Sequence, residues 1–264
     1  MDYGLIGEKL GHSFSKPIHE KLMRYHNVKD YSYGIRPVPR DEFAEFMEKK
    51  DFKAINVTIP YKSDVIPYLS EIDEHAEKIG AVNTIVNRSG RLCGYNTDFY
   101  GFLYTLKYHA MDVRDKKVFV LGNGGAAKAV LAVLSYLGAS EIVIVKYRKD
   151  TGCITYEEAL ENHRDVSYII NTSPVGMYPG TDATPMDLTP YTGLKGVVDI
   201  IYNPLKTKLL LQAESLGLPA VNGLEMLIAQ AKQAVEIFLD TAITDNAIQD
   251  IFNEMMTELG KGTA

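Results

Sequence analysis

The sequence predicts a two-domain α/β protein, with a mostly parallel sheet in the first domain and a doubly wound sheet in the second. Three observations predict it. Apolar runs of strand length alternate with helically spaced segments through the first hundred residues. The alternation starts afresh at residue 117, where a strand enters a glycine-rich turn and then a helix. A chain of 264 residues is also long for one core, because cores stop growing and chains divide. The expected boundaries give residues 1–104 to the first domain and 105–223 to the second, and return 224–264 to the first.

Taken in order, residues 3–7, 31–37, 54–59 and 81–86 read as strands, with helices expected at 17–26, 41–49 and 62–68. The turn Asn87-Arg88-Ser89-Gly90 leads into a short antiparallel strand at 92–95, and 99–109 has helical spacing and connects the domains. In the second domain, a strand at 117–121 is followed by a helix at 126–137 closed by Gly138, then by strands at 141–145, 167–171 and 196–201. Residues 224–239 and 247–259 read as helices, one of which returns to the first domain.

Composition excludes several function classes. A formal net charge of -6 disfavours nonspecific attraction to nucleic acid or an anionic membrane, so an anionic ligand needs a local cluster of cations. Cys93 and Cys153 stand far apart and belong to no CxxC or Cys/His spacing, and the six histidines show no ligand spacing, so neither a metal nor a disulfide is expected. The first ten residues carry Asp2, Glu8 and Lys9 and no apolar stretch of secretory-signal length, and no run reaches membrane-spanning length. A reducing cytoplasm is the expected location.

Gly122-Asn123-Gly124-Gly125-Ala126-Ala127 fits GxGxxA, whose small residues permit a tight turn, close backbone approach to a pyrophosphate, and packing of helix on strand. With a strand before it and a helix after it, the turn predicts a Rossmann-like dinucleotide-binding domain. An NAD site normally ends its second strand on an acid that accepts from the ribose 2′-hydroxyl, whereas this chain offers Lys146, Arg148 and Lys149. Cations there suit a 2′-phosphate, so NADP is expected over NAD, with NAD left open. Between them Tyr147 either stacks on adenine or merely packs.

The richest polar chemistry lies in four segments: Gly11 to Ser15, Asn56 to Lys62, Gly80 to Thr84, and Gly94 to Asp98. Each puts polar side chains at a strand end or in the turn after it, where open α/β sheets bind ligands. Singly, each has an ordinary explanation as a helix cap or a solvated residue. Together, hydroxyls, amides, Lys62 and Asp98 describe a pocket for a polyhydroxylated small molecule.

These segments resemble the shikimate dehydrogenase family over nearly the whole chain. The resemblance is carried by HSxS at His12 to Ser15, NVTxPxK at Asn56 to Lys62, GAVNT at Gly80 to Thr84, NTDxxG at Asn96 to Gly101 and GxGGAA at Gly122 to Ala127. It continues in NTSPVGM at Asn171 to Met177, DxxYNPxxT at Asp199 to Thr207, and NGLxMLxxQA at Asn222 to Ala231. The resemblance implies that Ser13, Ser15 and Tyr202 hold a substrate carboxylate while Thr58, Lys62, Asn83, Asp98 and Gln230 meet ring hydroxyls. It implies that Met177 and Gly223 lie near the nicotinamide, with Thr172 and Ile200 also on the cofactor and Gly122, Asn123, Gly124, Gly125 and Ala126 at the pyrophosphate. The implied activity is the reversible, NADP-dependent reduction of 3-dehydroshikimate to shikimate in aromatic amino acid and chorismate biosynthesis. In it Lys62 donates the proton to the ketone oxygen and Asp98 orients Lys62.

Two departures from the family pattern stand out. Lys16 follows Ser15 where the family usually has Pro, and Pro17 comes next, so an altered start to the first helix is expected. The segment after Lys146 is short and 149–155 has no helical apolar pattern, so the usual crossover helix is expected to be missing. His12 reads as a structural hydrogen-bonding group rather than a catalyst. Two rival readings stay open: a quinate or quinate/shikimate dehydrogenase using NAD, and a non-catalytic regulator that binds a dinucleotide or a shikimate-like ligand. The partner expected is a small-molecule substrate, with the protein a monomer or homodimer.

Overall fold

The structure, a computed structural model, describes residues 1–11, 13–28 and 31–261, with side chains to residue 258. His12 therefore lies outside the described residues. The chain divides into two compact units, Met1–Gly101 with Leu227–Ala264, and Phe102–Met226.

The first unit opens with β1 (Tyr3–Gly7), α1 (Ser15–Tyr25), β2 (Tyr33–Pro37), α2 (Phe43–Lys49) and β3 (Ala54–Val57). It continues with β4 (Glu71–Ile72), α3 (Glu74–Ile79), β5 (Thr84–Arg88), β6 (Arg91–Tyr95) and the start of α4 (Thr97–Tyr108). Its sheet has the order β2-β1-β3-β5-β6-β4, parallel at β1/β2, β1/β3 and β4/β6 and antiparallel on both sides of β5. The strand expected at 81–86 thus begins three residues later and runs against β3. Because β5 is reversed, its first residues lie at the same sheet edge as the last residues of β1, β3 and β6.

Every residue of β3 is buried, as in a strand covered on both faces. One face packs Ile6, Phe46, Met47, Ile55 and Ile85, and the other Leu5, Tyr33, Ala54, Ala234 and Phe238. Residues 62–68 do not form the expected α-helix; they make turns and a 3-10 turn at Ile66–Tyr68 that carries Pro67. The helix forms later, at α3, where Asp73 caps the N-terminus and Gly80 ends it at φ +65. Helix α1 begins at Ser15, and Pro17 falls in its first turn, where a missing N–H costs no helical hydrogen bond.

The second unit contains β7 (Lys117–Leu121), α5 (Gly125–Tyr136), β8 (Glu141–Lys146), β9 (Cys153–Thr155) and α6 (Tyr156–Asn162). After them come β10 (Tyr168–Asn171), β11 (Gly196–Asp199), α7 (Lys208–Ser215) and β12 (Ala220–Val221). The sheet, β12-β11-β10-β7-β8-β9, is parallel throughout, which with its helices is the doubly wound, Rossmann-like arrangement. A crossover helix is present after all. Helix α6 starts on a capping box, in which the Thr155 hydroxyl accepts from Glu158 N and the Glu158 carboxylate accepts from Thr155 N. This short helix buries Ala159 against Val143, Val145 and Val166, too little apolar surface to show as a periodic pattern.

Helices α8 (Leu224–Leu239) and α9 (Asn246–Lys261) complete the chain, and from residue 227 both belong to the first unit. No helix among the described residues is long and apolar enough to cross a membrane. Cys93 and Cys153 are free and buried.

Candidate active site

At the common edge of the first sheet, each polar segment is fixed by its own local chemistry. Leaving β3, the Tyr61 ring is fully buried, stacks on Phe43 at 4.1 Å and donates its hydroxyl to Val38 O at 2.6 Å. That anchor holds the next residue, Lys62, whose carbonyl accepts from Val82 N at 2.7 Å. Leaving β6, Asn96 accepts from Phe99 N and donates to Ala81 O, and α4 then begins with Asp98 in its first turn. A carboxylate there suits the helix macrodipole.

These two anchors bring Lys62 Nζ to 2.5 Å from Asp98 Oδ2, with the side chains 18% and 13% exposed. Both charges are drawn mostly out of water yet remain reachable by a small ligand. A cation held by one carboxylate oxygen keeps further N–H bonds to offer, which is what a proton donor to a ligand oxygen requires.

Behind the pair runs a buried polar chain whose ordering role the sequence reading missed. Tyr33 donates to Asn56 Oδ1 at 2.7 Å, and Asn56 Nδ2 donates to Thr84 Oγ1 at 3.1 Å. Asn83 Oδ1 accepts from Thr97 N at 2.7 Å, Thr84 Oγ1 at 3.0 Å and Thr97 Oγ1 at 3.2 Å. Its carbonyl oxygen is thus fully used, so only the Asn83 amide nitrogen can serve a ligand. Thr97 Oγ1 lies 3.3 Å from Gln230 Oε1, and Gln230 Nε2 donates to Leu227 O. Asn56, Thr84 and Thr97 all stand in the quoted motifs, but their burial depends on tertiary pairing that a single chain pattern does not display. Thr58 follows β3 half-buried, and Ser13 Oγ accepts from Ser15 N at 3.2 Å just ahead of α1.

In the second unit the glycine turn follows β7. Gly122 has φ +97, and a Cβ there would lie 3.3 Å from Ser173, so the turn needs glycine twice over. Gly124 caps α5 with no side-chain bond, and Cβ atoms built on Gly124 and Gly125 meet nothing within 4 Å. Open space before uncapped N–H groups at a helix N-terminus is what a pyrophosphate requires, so the turn fits a dinucleotide. Asn123 is exposed beside it and Ala126 half-buried. Thr172 braces the turn by donating its hydroxyl to Leu121 O at 2.8 Å.

Met177 is exposed after β10, and Ile200 and Tyr202 follow β11 half-buried, burial raising the Tyr202 hydroxyl pKa. Tyr202 belongs to the second unit, unlike the serines the resemblance groups it with. Gly223 is required by the protein itself, since a Cβ there would lie 1.9 Å from Ile200 O. At the end of β8 the cations are less free than the sequence suggests. Lys146 pairs with Asp150 at 2.7 Å, which raises its pKa, and Lys149 pairs with Glu158. Among the described residues Arg148 is the cation of that loop left without a carboxylate, next to Tyr147, 87% exposed. Asp150 was missed as a candidate. Among the described residues, no three His, Cys, Asp or Glu side chains gather as a metal site would need.

Fold and site together define a two-unit α/β protein with a mostly buried lysine–aspartate pair in one unit and a glycine-turn dinucleotide fold in the other. Residues 5–85 match the family described as the shikimate dehydrogenase substrate binding domain. The chain is 39% identical to a shikimate dehydrogenase (NADP(+)) of Clostridium beijerinckii, over 95% of this chain and 96% of that one. Among solved structures it superposes on a chorismate mutase/shikimate 5-dehydrogenase fusion protein from Clostridium acetobutylicum with a TM-score of 0.92, at 36% identity and 98% coverage of each chain. It also superposes on the Thermus thermophilus shikimate 5-dehydrogenase in complex with NADP(H) and shikimate with a TM-score of 0.84, at 27% identity and coverage of 95% and 97%. The chain belongs to the shikimate dehydrogenase family.

Proposed function

We infer that the protein is an NADP-dependent shikimate dehydrogenase, an oxidoreductase that reversibly reduces 3-dehydroshikimate to shikimate on the route to chorismate and the aromatic amino acids. The observation that carries this is the Lys62–Asp98 pair, mostly buried and 2.5 Å apart, at the edge where the other ligand-facing polar groups gather. Hydride chemistry is supplied by the nicotinamide when bound. In the reducing direction Lys62 gives a proton from Nζ to the ketone oxygen, and in the oxidising direction it takes the hydroxyl proton back. Asp98 holds Nζ in line and accepts from a neighbouring ring hydroxyl, so orientation and proton transfer act as a unit. Thr58, the Asn83 amide and Gln230 meet further hydroxyls, and Ser13 and Ser15 hold the carboxylate. The first unit is the substrate half and the second the cofactor half, with Gly122, Asn123, Gly124, Gly125 and Ala126 at the pyrophosphate. Arg148 and a Lys146 released from Asp150 hold the 2′-phosphate, while Met177 and Gly223 lie near the nicotinamide and Thr172 and Ile200 also contact the cofactor. The same reading has a cytoplasmic monomer or homodimer that binds no nucleic acid.

A specific observation favours a second reading. Asp150 neutralises Lys146 and offers an acid that accepts from a ribose hydroxyl, as an NAD-using quinate/shikimate dehydrogenase requires. Incubating the purified protein with shikimate or quinate and with NADP or NAD, and following reduced nicotinamide, separates them. Fastest turnover of shikimate with NADP is expected; turnover of quinate with NAD alone supports the rival, and none in any combination contradicts dehydrogenase activity.

A further inference from the structure

Beneath the two loops that carry Thr172, Met177, Ile200 and Tyr202 lies a fully buried carboxylate to which the proposed reaction gives no part. Asn171 and Asp199 end neighbouring parallel strands in direct register. Asp199 is 0% exposed, yet both its oxygens are occupied. Oδ1 accepts from Asn171 Nδ2 at 3.0 Å and from Ile201 N at 3.1 Å, and Oδ2 accepts from the Thr207 hydroxyl at 2.7 Å. Asn171 extends the contact into the β10 loop: its Oδ1 accepts from Ser173 N at 3.0 Å and Ser173 Oγ at 2.7 Å, and its Nδ2 reaches Val175 O.

Thr207 carries the contact on. It caps α7 by accepting from Leu210 N, and its side chain lies under Gly176, which has φ +96 and where a Cβ would come 3.5 Å from Thr207 Cβ. The loops are laced together above the carboxylate as well, with Ile200 N donating to Asn171 O and Tyr178 N to Asn203 O. A carboxylate held out of water is costly unless its bonds are made, so burying one here needs a return. Packing alone does not supply it, because an apolar side chain would fill the same space.

We propose that Asp199 is a positioning residue for the dinucleotide: it ties the β10 loop to the β11 loop from below and so sets where Thr172, Met177, Ile200 and Tyr202 stand. The inference rests on the second unit being the cofactor half. Removing the tie lets the two loops drift apart, and a misplacement of about 1 Å is enough to weaken a ligand held by both.

Calorimetric titration of NADP+ into the parent protein and three variants tests this at one pH. Asp199→Ala is expected to weaken binding about tenfold or more. Asp199→Asn, which keeps Oδ1 as acceptor and can donate to the Thr207 hydroxyl, is expected to restore it to within about threefold. Leu134→Ala, a fully buried change more than two turns along α5 from the glycine turn, is expected to lower the melting temperature without altering affinity. Should Asp199→Ala fail to fold, Thr207→Val, which breaks the Oδ2 bond together with the α7 cap, is expected to weaken binding about threefold, and Thr207→Ser, which keeps both bonds, to bind as the parent does. Parent-like affinity in Asp199→Ala, or in Thr207→Val if that variant stands in for it, overturns the proposal, as does equal weakening by Leu134→Ala. A parent that binds no dinucleotide overturns the reading of the second unit and this proposal with it.

Discussion

On the proposed reading, the two units recognise ligands by opposite means. In the first, the groups are side chains that already bond to one another: Lys62 to Asp98, and Asn83 to Thr84 and Thr97, with Gln230 beside Thr97. In the second, the central feature is bare backbone, an uncapped helix end behind Gly124 and Gly125 with open space before it, flanked by exposed Met177 and Arg148. A side-chain lattice discriminates among small ring substituents because each misplaced hydroxyl leaves a buried partner unpaired. A backbone cradle grips a feature shared by all dinucleotides, so discrimination among them falls to the loop after β8. The lysine–aspartate pair accordingly stands in the first unit and the glycine turn in the second.

The sharpest break of this contrast is Lys62→Ala, expected to lower turnover by about a hundredfold to ten-thousandfold with a much smaller rise in substrate KM, measured by steady-state kinetics. Turnover equal to the parent's would remove Lys62 from the chemistry. Among the glycines, Gly223→Ala drives a Cβ into Ile200 O and is expected to cost about 3 kcal/mol or more in denaturant unfolding. Gly125→Ala meets nothing, so stability should stay within about 0.5 kcal/mol while dinucleotide affinity falls about tenfold. If Gly125→Ala binds as the parent does, the space before α5 is not the pyrophosphate site.

Buried titratable groups sharpen the contrast through pH. Burial pushes Asp199 up to about 6, so the folded state holds its proton more tightly than the unfolded chain. Its contribution is therefore present in acid and lost as pH rises from about 4 to about 6. The stability gained by Asp199→Asn should grow over that window and level off at roughly 2–3 kcal/mol, read as unfolding midpoints against pH. His19 in the first unit has the opposite sign. Burial lowers it to about 3, so the stability of its neutral form is present above about 6.5 and lost as pH falls towards 3. The smallest effect expected is at the β8 loop: Asp150→Asn frees Lys146 and should tighten NADP+ binding about twofold to threefold while weakening NAD+. Unchanged affinity for both would make Arg148 the sole discriminator.

Elements that carry a continuous apolar pattern were legible in the sequence. Strands β1 and β7 and helix α8 begin and end where the apolar pattern does, because their burial is set by their own residues. Edge strands of two or three residues, β4, β9 and β12, are too short to show alternation. Helix α7, capped by Thr207 and buried at Leu209, Leu210 and Ala213, is only eight residues long, too short for its period to stand out in the sequence. In the site, Lys62 and Asp98 were readable as strand-end residues, and their meeting follows from the sheet order. The Asn171, Asp199 and Thr207 bonds were not readable, since they depend on the register between β10 and β11. Pairing of Lys146 with Asp150 was hidden for a different reason: the acid comes four residues later, after the basic run that set the expectation.

The central claim is that Lys62 and Asp98 work as one unit in proton transfer. A double-mutant cycle in kcat, with Lys62→Ala, Asp98→Asn and the pair combined, tests it directly. The account predicts that the double variant is no slower than the slower single variant, within about threefold, because either change alone disables the unit. Losses that multiply in the double variant would contradict it, showing two side chains that act independently.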